Sequence, residues 1–539
     1  MSGEKRPLGT INRKYVYIVP LKTVSPLRIA SGQTDYITDI LILKNKQGEA
    51  FIPATSIAGV LRNEIRKLYG EKITDTIFGS VGKNEDGVQS MISIDDVVLQ
   101  SSGIISRDGV HIHEVAGTGV TREKYNFEAV EKGAEGILTM EMTVREGNET
   151  ECLRNFNIGE LRGRGQCVID ELLHPQYAKD GDIFADVAAT LADILTAGIR
   201  IGSLTAKGMG LVKSKKPVNV YLFDFKKTTD VFDNETVFSD ADAWMKYIEN
   251  GTLPEAAYVT AAQNDRGEQF PFSDFVIQAE FAIKSSLLIR DASRVSDYAS
   301  ADNKGTIAGV PMKSGNDYVI PGTGIKGALR GKAYKVLMAL PGATVEKSKL
   351  MVERLMGWAK RDNNSDIADE GRKSRLIVDE IYFSDDGNIH EMKQPRNRID
   401  RFTGATVKSA LFFDFAIWQQ NKETPTIKMN LRINAALHAE AGLMLLLLRE
   451  LWNGNIPLGG GKNIGRGVLQ GIGSDIYYER QHFRMEQCLP LEANYGKIRI
   501  SGTDREQNNL TDEKVQSIMQ EYVTELVKVM ANGQVDDNE

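Results

Sequence analysis

The chain has 539 residues, 41% of them hydrophobic and 26% charged, with a formal net charge of −7. That length exceeds one ordinary domain, and that composition describes a globular protein with apolar residues enough for sizeable cores. The acidic balance excludes a protein that coats nucleic acid indiscriminately, while leaving room for a local basic groove.

The longest apolar run, around Leu443–Leu448, is bracketed by Glu440, Arg449 and Glu450 and is too short to span a bilayer. Behind Lys5 and Arg6 no apolar stretch resembles a signal peptide. Cys152, Cys167 and Cys488 are odd in number and scattered, as are the six histidines. That usage predicts neither a disulfide framework nor a structural zinc site, and it points to a reducing cytoplasm.

In chain order, an alternating strand at Lys14–Pro20 leads through a polar loop to an Ile-Pro turn and a helix over Thr55–Leu68. A strand at Met91–Leu99, a polar hairpin, a strand at Ile137–Arg145 and a helix at Phe184–Ala197 follow. A Gly-rich loop and a last strand complete the first half, which we place at 1–223. Residues 224–270 read as a polar linker with a short helix at Asp240–Glu249.

The same order then returns within 271–502: strand Phe275–Ile283, helix Thr323–Leu337, strand Arg375–Phe383, hairpin, strand Thr426–Asn434, helix Ala439–Trp452, Gly-rich loop and strand. An amphipathic helix at Thr511–Ala531 with an acidic end makes up 503–539 and is expected to pack on the second domain.

The recurrence is an internal repeat. Phe51-Ile-Pro-Ala-Thr-Ser-Ile-Ala-Gly-Val-Leu-Arg62 matches Val319-Ile-Pro-Gly-Thr-Gly-Ile-Lys-Gly-Ala-Leu-Arg330 at an offset of 268. Ile112–Gly117 matches Ile399–Gly404, and Lys207–Val212 matches Ile464–Leu469. Each copy reads βαββαβ, so the predicted class is α+β, with two ferredoxin-like or RNA-recognition domains carrying hairpins.

Four repeated features carry chemistry. The loop Leu458–Val468 has five glycines with Lys462 and Arg466 interleaved, and Ile201–Gly210 is a thinner version with Lys207. Glycines let consecutive N–H groups face an anion that cations neutralise, and Lys207, Gly208, Gly210, Lys462, Asn463, Gly465, Arg466 and Gly467 are the candidate contacts. The alternative is a turn that needs glycine only for its shape. Neither loop is a Walker or dinucleotide motif. The first helices open after the Ile-Pro turn with Ser56 and Arg62 in one copy, and with Gly322, Thr323, Lys326 and Arg330 in the other. A basic helix start can direct N–H groups and charge at a backbone phosphate, or be a solvated face.

The hairpins offer apolar tips beside cations: Thr118 and Val120 in the first, Arg401, Phe402, Thr406 and Val407 in the second. Such tips suit wedging between stacked bases, or capping of the core. Asp35 and Asp39 precede the first Ile-Pro turn, where a carboxylate can hold Mg²⁺ or orient an RNA 2′-hydroxyl, or simply form a turn. Copy two has Asp291, Asp297 and Asp302 in a longer loop but Ala308 at the position matching Asp39. His111 and His113 are a pair without an evident third metal ligand.

Together, Ile320–Arg330 and its counterpart, Ile77-Phe-Gly79 and Leu355-Met-Gly357, Arg398–Gly404 and Gly459–Gly467 resemble the RAMP superfamily. The likeness is to the backbone subunits of type III CRISPR effector complexes, here as a tandem similar to type III-D fusions. The resemblance implies domains that bind a CRISPR guide RNA beside other effector subunits, with thumb hairpins that splay the guide–target duplex. It also implies metal-dependent cutting of complementary target RNA, with Asp39 as the matching carboxylate; Asp35 is a second candidate, and Asp302 or Asp297 substitutes in copy two only if the longer loop bends back. Ala54-Thr-Ser and Ala58 depart from the family pattern and predict a weaker guide contact in copy one, and Ala308 puts cutting by copy two in doubt. Two other readings remain at this stage, a non-catalytic RNA-binding scaffold and a guide-processing endoribonuclease. The latter lacks a histidine before Val110.

Overall fold

The computed structural model describes residues 9–81, 87–100, 103–112, 119–145, 183–225, 239–259, 273–299, 306–358, 371–491, 494 and 496–532. Among them are seven α-helices: α1 (Ala54–Phe78), α2 (Ile183–Ala197), α3 (Ser239–Asn250), α4 (Gly322–Met338), α5 (Val345–Met356), α6 (His438–Trp452) and α7 (Asp512–Asn532).

Both repeats start their first helix at a proline. Pro53 (φ −60°, ψ 138°) and Pro321 (φ −64°, ψ 137°) are extended, cannot donate to a strand ladder, and hand the chain to α1 and α4. One face of α4 buries Ile325, Leu329, Ala333 and Leu337, a four-residue spacing that keeps them on one stripe. Burying each large member of that stripe is worth about 1.5–3 kcal/mol. The helix of copy one breaks at Gly70 (φ 79°, ψ 178°), past the predicted end at Leu68, and resumes to Phe78. Copy two breaks at Pro341-Gly342 and continues as α5.

These second helical pieces end on Gly79 (φ 80°) and Gly357 (φ 73°), where a left-handed residue favours glycine. Arg62 donates to the Gly79 carbonyl at 2.8 Å and to Asp75 at 2.5 Å, and Arg330 donates to the Gly357 carbonyl at 2.9 Å. The arginine that ends the repeated motif therefore ties each helix pair together.

The first sheet is antiparallel, with Ile92–Ile94, Glu135–Arg145 and Ile11–Thr23 side by side, then Leu211–Ser214 and Asn219–Asp224 on the far edge of Ile11–Thr23. The second has the same order in Leu376–Val378, Ile427–Ile433, Phe275–Ile283 and Leu469–Tyr478. Tyr17 faces Met140 in one register and Ile277 faces Leu431 in the other. This is the ferredoxin-like strand order expected from βαββαβ. Alternation along Glu135–Arg145 and Ile427–Ile433 sends Leu138, Met140, Met142 and Ile427, Met429, Leu431 inward.

The described residues group into two units. The first comprises Met1–Arg107, Phe127–Ser203 and Gly210–Gln269, and the second Asp108–Asn126, Leu204–Met209 and Phe270–Glu539. Residues 224–270 are more than a linker with one helix. Besides α3, Ala256–Val259 adds a strand to the exposed edge of Asn219–Asp224. Nor does the second sheet stop at 502. It continues through Gln481–Gln487, Ile498–Thr503 and Asn509–Leu510.

Helix α7 then packs on α6, burying Val515, Ile518, Tyr522, Leu526 and Met530, with the Tyr522 backbone so close to Gly442 that a Cβ there would stand 2.3 Å from its carbonyl oxygen. Glu440, which interrupts the apolar run of α6, is buried, accepts from the Leu437 N–H at 3.0 Å and pairs with Arg375. Among the described residues no helix is long and apolar enough to cross a membrane.

Candidate nucleic-acid interface

The two Gly-rich loops are one turn built twice. Leu204 (φ 60°, ψ 21°) and Gly461 (φ 75°, ψ 26°) open it in the left-handed region, and Gly208 (φ 90°) and Gly465 (φ 81°) close it. Between them runs a short 3₁₀ turn, Thr205–Lys207 or Lys462–Ile464. The N–H of Lys207 reaches the Leu204 carbonyl at 2.8 Å, and that of Ile464 the Gly461 carbonyl at 3.0 Å. Lys462, Asn463, Ile464 and Gly465 are exposed, whereas Gly467 is buried and Lys207 half-buried. Gly208 and Gly210 are also buried.

The sequence groups Lys326 and Arg466 with the surface cations, and the structure places both inside. Lys326 is 5% exposed, and its Nζ donates to Ser374 Oγ at 2.5 Å, the Leu376 carbonyl at 2.8 Å and the Ala206 carbonyl at 3.1 Å. Burial, with Lys207 and Arg330 nearby, pushes its ammonium down to about 7. Gly322, at the start of α4, is buried too, since a Cβ there would lie 2.4 Å from the Lys207 carbonyl oxygen. Thr323 is exposed and Ser56 half-buried. Arg466 is 3% exposed, donating to Asp414 at 2.9 Å and to Gln394. These two cations hold the second unit together internally and do not themselves face a ligand.

The second hairpin, Ile389–Ile399 with Thr406–Gln419, ends in a tip where Asp400 accepts from the N–H groups of Phe402 and Thr403 at 3.0 and 2.9 Å. The Thr403 amide, then that of Phe402, holds the Asp400 carboxyl below the usual carboxylate range. The tip is thus a fixed turn that presents Phe402 fully exposed, with Arg401, Thr406 and Val407 exposed beside it. Because Phe402 touches so little, Phe402→Ala is expected to change the unfolding free energy by less than about 0.5 kcal/mol, measurable by urea titration. The first hairpin pairs Ile104–Ile112 with Gly119–Val130. His113 and Thr118 lie outside the described residues, as do the side chains of His111 and Val120.

Asp39 is exposed, one residue before Ile40, which pairs in parallel with Phe127 at the base of the first hairpin. In the second repeat Gly309 pairs in parallel with Asp414, which puts Ala308 where Asp39 stands. Asp35 is occupied locally: its Oδ1 accepts from the N–H groups of Ile37 at 2.8 Å and Thr38 at 2.5 Å, a turn that leaves Tyr36 and Ile37 protruding. Asp291 is similarly used by Ser293, and Asp297 pairs with Arg294, while Asp302 lies outside the described residues. Among the described residues no group of three or more His, Cys, Asp or Glu stands together as a metal site. Lys44 pairs with Glu128 and Lys313 with Glu391, so in both repeats the segment after the loop is ionically tied to the hairpin.

The profile of the RAMP superfamily matches residues 20–213 and 280–470, one stretch in each repeat. The chain belongs to the RAMP superfamily. No curated protein matches it. Among solved structures, a chain of the type III-B Cmr-beta complex bound to cognate target RNA aligns at 14% identity with a TM-score of 0.25. That alignment covers 39% of this chain and 61% of the other.

As a tandem RAMP protein it carries the thumb, the Ile-Pro turn and the Gly-rich loop in each half. Asp414 and Gln394 are the residues that sequence reasoning passed over. The signal was a lone acid in the apolar run Leu411-Phe-Phe-Asp-Phe-Ala-Ile-Trp418.

Proposed function

We propose that this chain is a guide-RNA-binding backbone subunit of a type III CRISPR effector complex, and that its first repeat cleaves complementary target RNA. The observation that carries this reading is the pairing of Ile40 with Phe127, which sets the exposed Asp39 at the foot of a hairpin in a RAMP repeat. In this reading the hairpin distorts the duplex, and Asp39 stands at its foot to act on the phosphodiester that lies there.

Residue by residue, the exposed turn Lys462–Gly465 and the half-buried Lys207 turn supply cations and N–H groups for the guide backbone. Phe402 wedges between bases. In the cut, the 2′-hydroxyl attacks the adjacent phosphorus, the P–O5′ bond breaks with the 5′-oxygen taking a proton from solvent water, and a cyclic phosphate forms. Splaying brings attacking and leaving oxygens into line, and Asp39 receives or orients the hydroxyl proton.

A single exposed carboxylate fits Mg²⁺, an ion that keeps several waters and takes one or two carboxylates together with phosphate oxygens. When bound, that ion neutralises charge on the phosphate, and Asp39 is the residue that would hold it. The second repeat, with Ala308 at this position, holds RNA without cutting.

The test is to assemble the complex with guide RNA and partner subunits, add complementary RNA and Mg²⁺, and compare wild type with Asp39→Ala. The variant is expected to lose the cut made by this subunit by a factor of about 10² or more, while RNA remains bound. Equal product from both disproves the role of Asp39. A wild-type complex that binds target without any cut from this subunit makes the chain a scaffold.

A further inference from the structure

Asp414 lies within the returning strand of the second hairpin with no exposed surface. It accepts from Arg466 Nη1 at 2.9 Å and from Arg396 Nη2, and the other amino group of Arg466 donates to Gln394. Its second oxygen, Oδ1, is buried with no hydrogen-bond partner. A Cβ built on Gly309 would stand 3.1 Å from that oxygen and 3.1 Å from Nε of Arg290. One buried carboxylate therefore pairs with two guanidinium groups, with Nε of Arg290 close to the same glycine. Arg466 is sealed in, whereas Arg396 reaches solvent across the Phe412 ring and Arg290 is exposed.

The fold does not require this arrangement. At the equivalent positions of the first repeat, Phe127 stands for Asp414 and Met209 for Arg466, both buried, and Gly109 stands for Arg396. Removing a carboxylate and a guanidinium from water costs more than packing two apolar side chains. The charged version achieves something the apolar one does not: it fixes the direction of Arg396. The carboxylate anchors the guanidinium through Nη2 while Nε is buried, which fixes its plane, and a planar set of donors matches a phosphate.

We propose that Asp414 is a positioning residue, which with Arg466 behind it holds Arg396 beside Arg290 so that the two arginines grip a backbone phosphate of RNA at the foot of the second hairpin. This rests on the RNA-binding function proposed above. It makes the second repeat the tighter, more salt-sensitive holder of RNA and leaves the first free of this contact.

The experiment measures binding of a fluorescent single-stranded RNA oligonucleotide to the full chain over a series of salt concentrations, with thermal unfolding in parallel. Asp414→Phe combined with Arg466→Met copies the packing of the first repeat and is expected to unfold as the wild type does. It should nonetheless bind RNA about tenfold more weakly, with the slope of log affinity against log salt reduced by about one, as for Arg396→Gln. Adding Arg396→Gln to the double variant should cause no further loss.

If Arg396→Gln weakens binding and the apolar pair does not, Asp414 does not position it. If Arg396→Gln has no effect, the phosphate contact is wrong. A wild-type chain that binds no RNA overturns the proposed function and this inference with it. Should the apolar pair fail to fold, Asp414→Asn, nearly isosteric, is read by the same criteria: weaker binding with a shallower salt slope supports the role, and unchanged binding overturns it.

Discussion

Gly467→Ala is expected to cost the second unit several kcal/mol, and Gly465→Ala, two residues away, only about 1–2 kcal/mol. Both glycines have positive φ, 80° and 81°, so both substitutions pay the left-handed penalty. They differ in what the new methyl group meets. At Gly467 a Cβ would lie 1.9 Å from the Leu458 carbonyl oxygen, inside a backbone pair in which the Leu458 N–H donates to the Gly467 carbonyl at 2.9 Å. That carbonyl cannot retreat without opening the entry to Leu469–Tyr478, the strand flanking Phe275–Ile283. At Gly465 there is nothing within 4 Å.

The first repeat supplies an independent check. Gly210 has φ 77°, and a Cβ there would lie 2.0 Å from the Ile201 carbonyl oxygen. Gly210→Ala is therefore expected to lower the unfolding transition of the first unit as Gly467→Ala lowers that of the second. Urea unfolding of the three variants reads this directly. Equal losses for Gly465→Ala and Gly467→Ala would falsify the close-approach argument and leave only backbone propensity.

The same pair of loops shows what a sequence reveals and what it hides. The repeat was legible because glycine, proline and the Ile-Pro-x-[Thr]-x-Ile pattern answer to local backbone demands, which are identical in both halves. Offsets between matched motifs therefore located equivalent strands, the hairpins and the pairing of Asp39 with Ala308. Burial of a cation obeys no such local rule. Lys326 looks like Arg62 or Lys335 until Ser374, forty-eight residues on, and Ala206, one hundred and twenty back, close around it.

Arg466 likewise sits among glycines that suggest an open anion site, yet its partners Gln394 and Asp414 come from the hairpin. Helix α5 and the strand Ala256–Val259 were missed for a related reason. The first is a twelve-residue helix that follows the Pro341-Gly342 break, and the second exists as a strand only because Asn219–Asp224 leaves an edge to pair with.

Lys326 also sets an expected pH dependence. In the unfolded chain its ammonium titrates near its ordinary value of 10.5, while in the folded unit burial and the neighbouring Lys207 and Arg330 push it down to about 7. Below about pH 7 both states carry the proton, and the folded state bears the full cost of the buried charge. Above that, the unfolded state binds a proton the folded state does not, so this residue's contribution to stability rises with pH until about 10.5.

The slope is about 1.4 kcal/mol per pH unit, so roughly 3 kcal/mol accrues between about pH 7 and about pH 9. Lys326→Met removes the titration and leaves the Ala206 carbonyl without its lysine donor, while Ser374 Oγ still donates to the Leu376 carbonyl, a loss of about 1–3 kcal/mol. Other titrating groups are common to both chains and cancel in the difference. The variant is therefore expected to fall further below wild type as pH rises, with the gap smallest near pH 6. Urea midpoints of the second unit at a series of pH values check this, and a gap that does not change with pH means the ammonium stays charged inside its cage throughout.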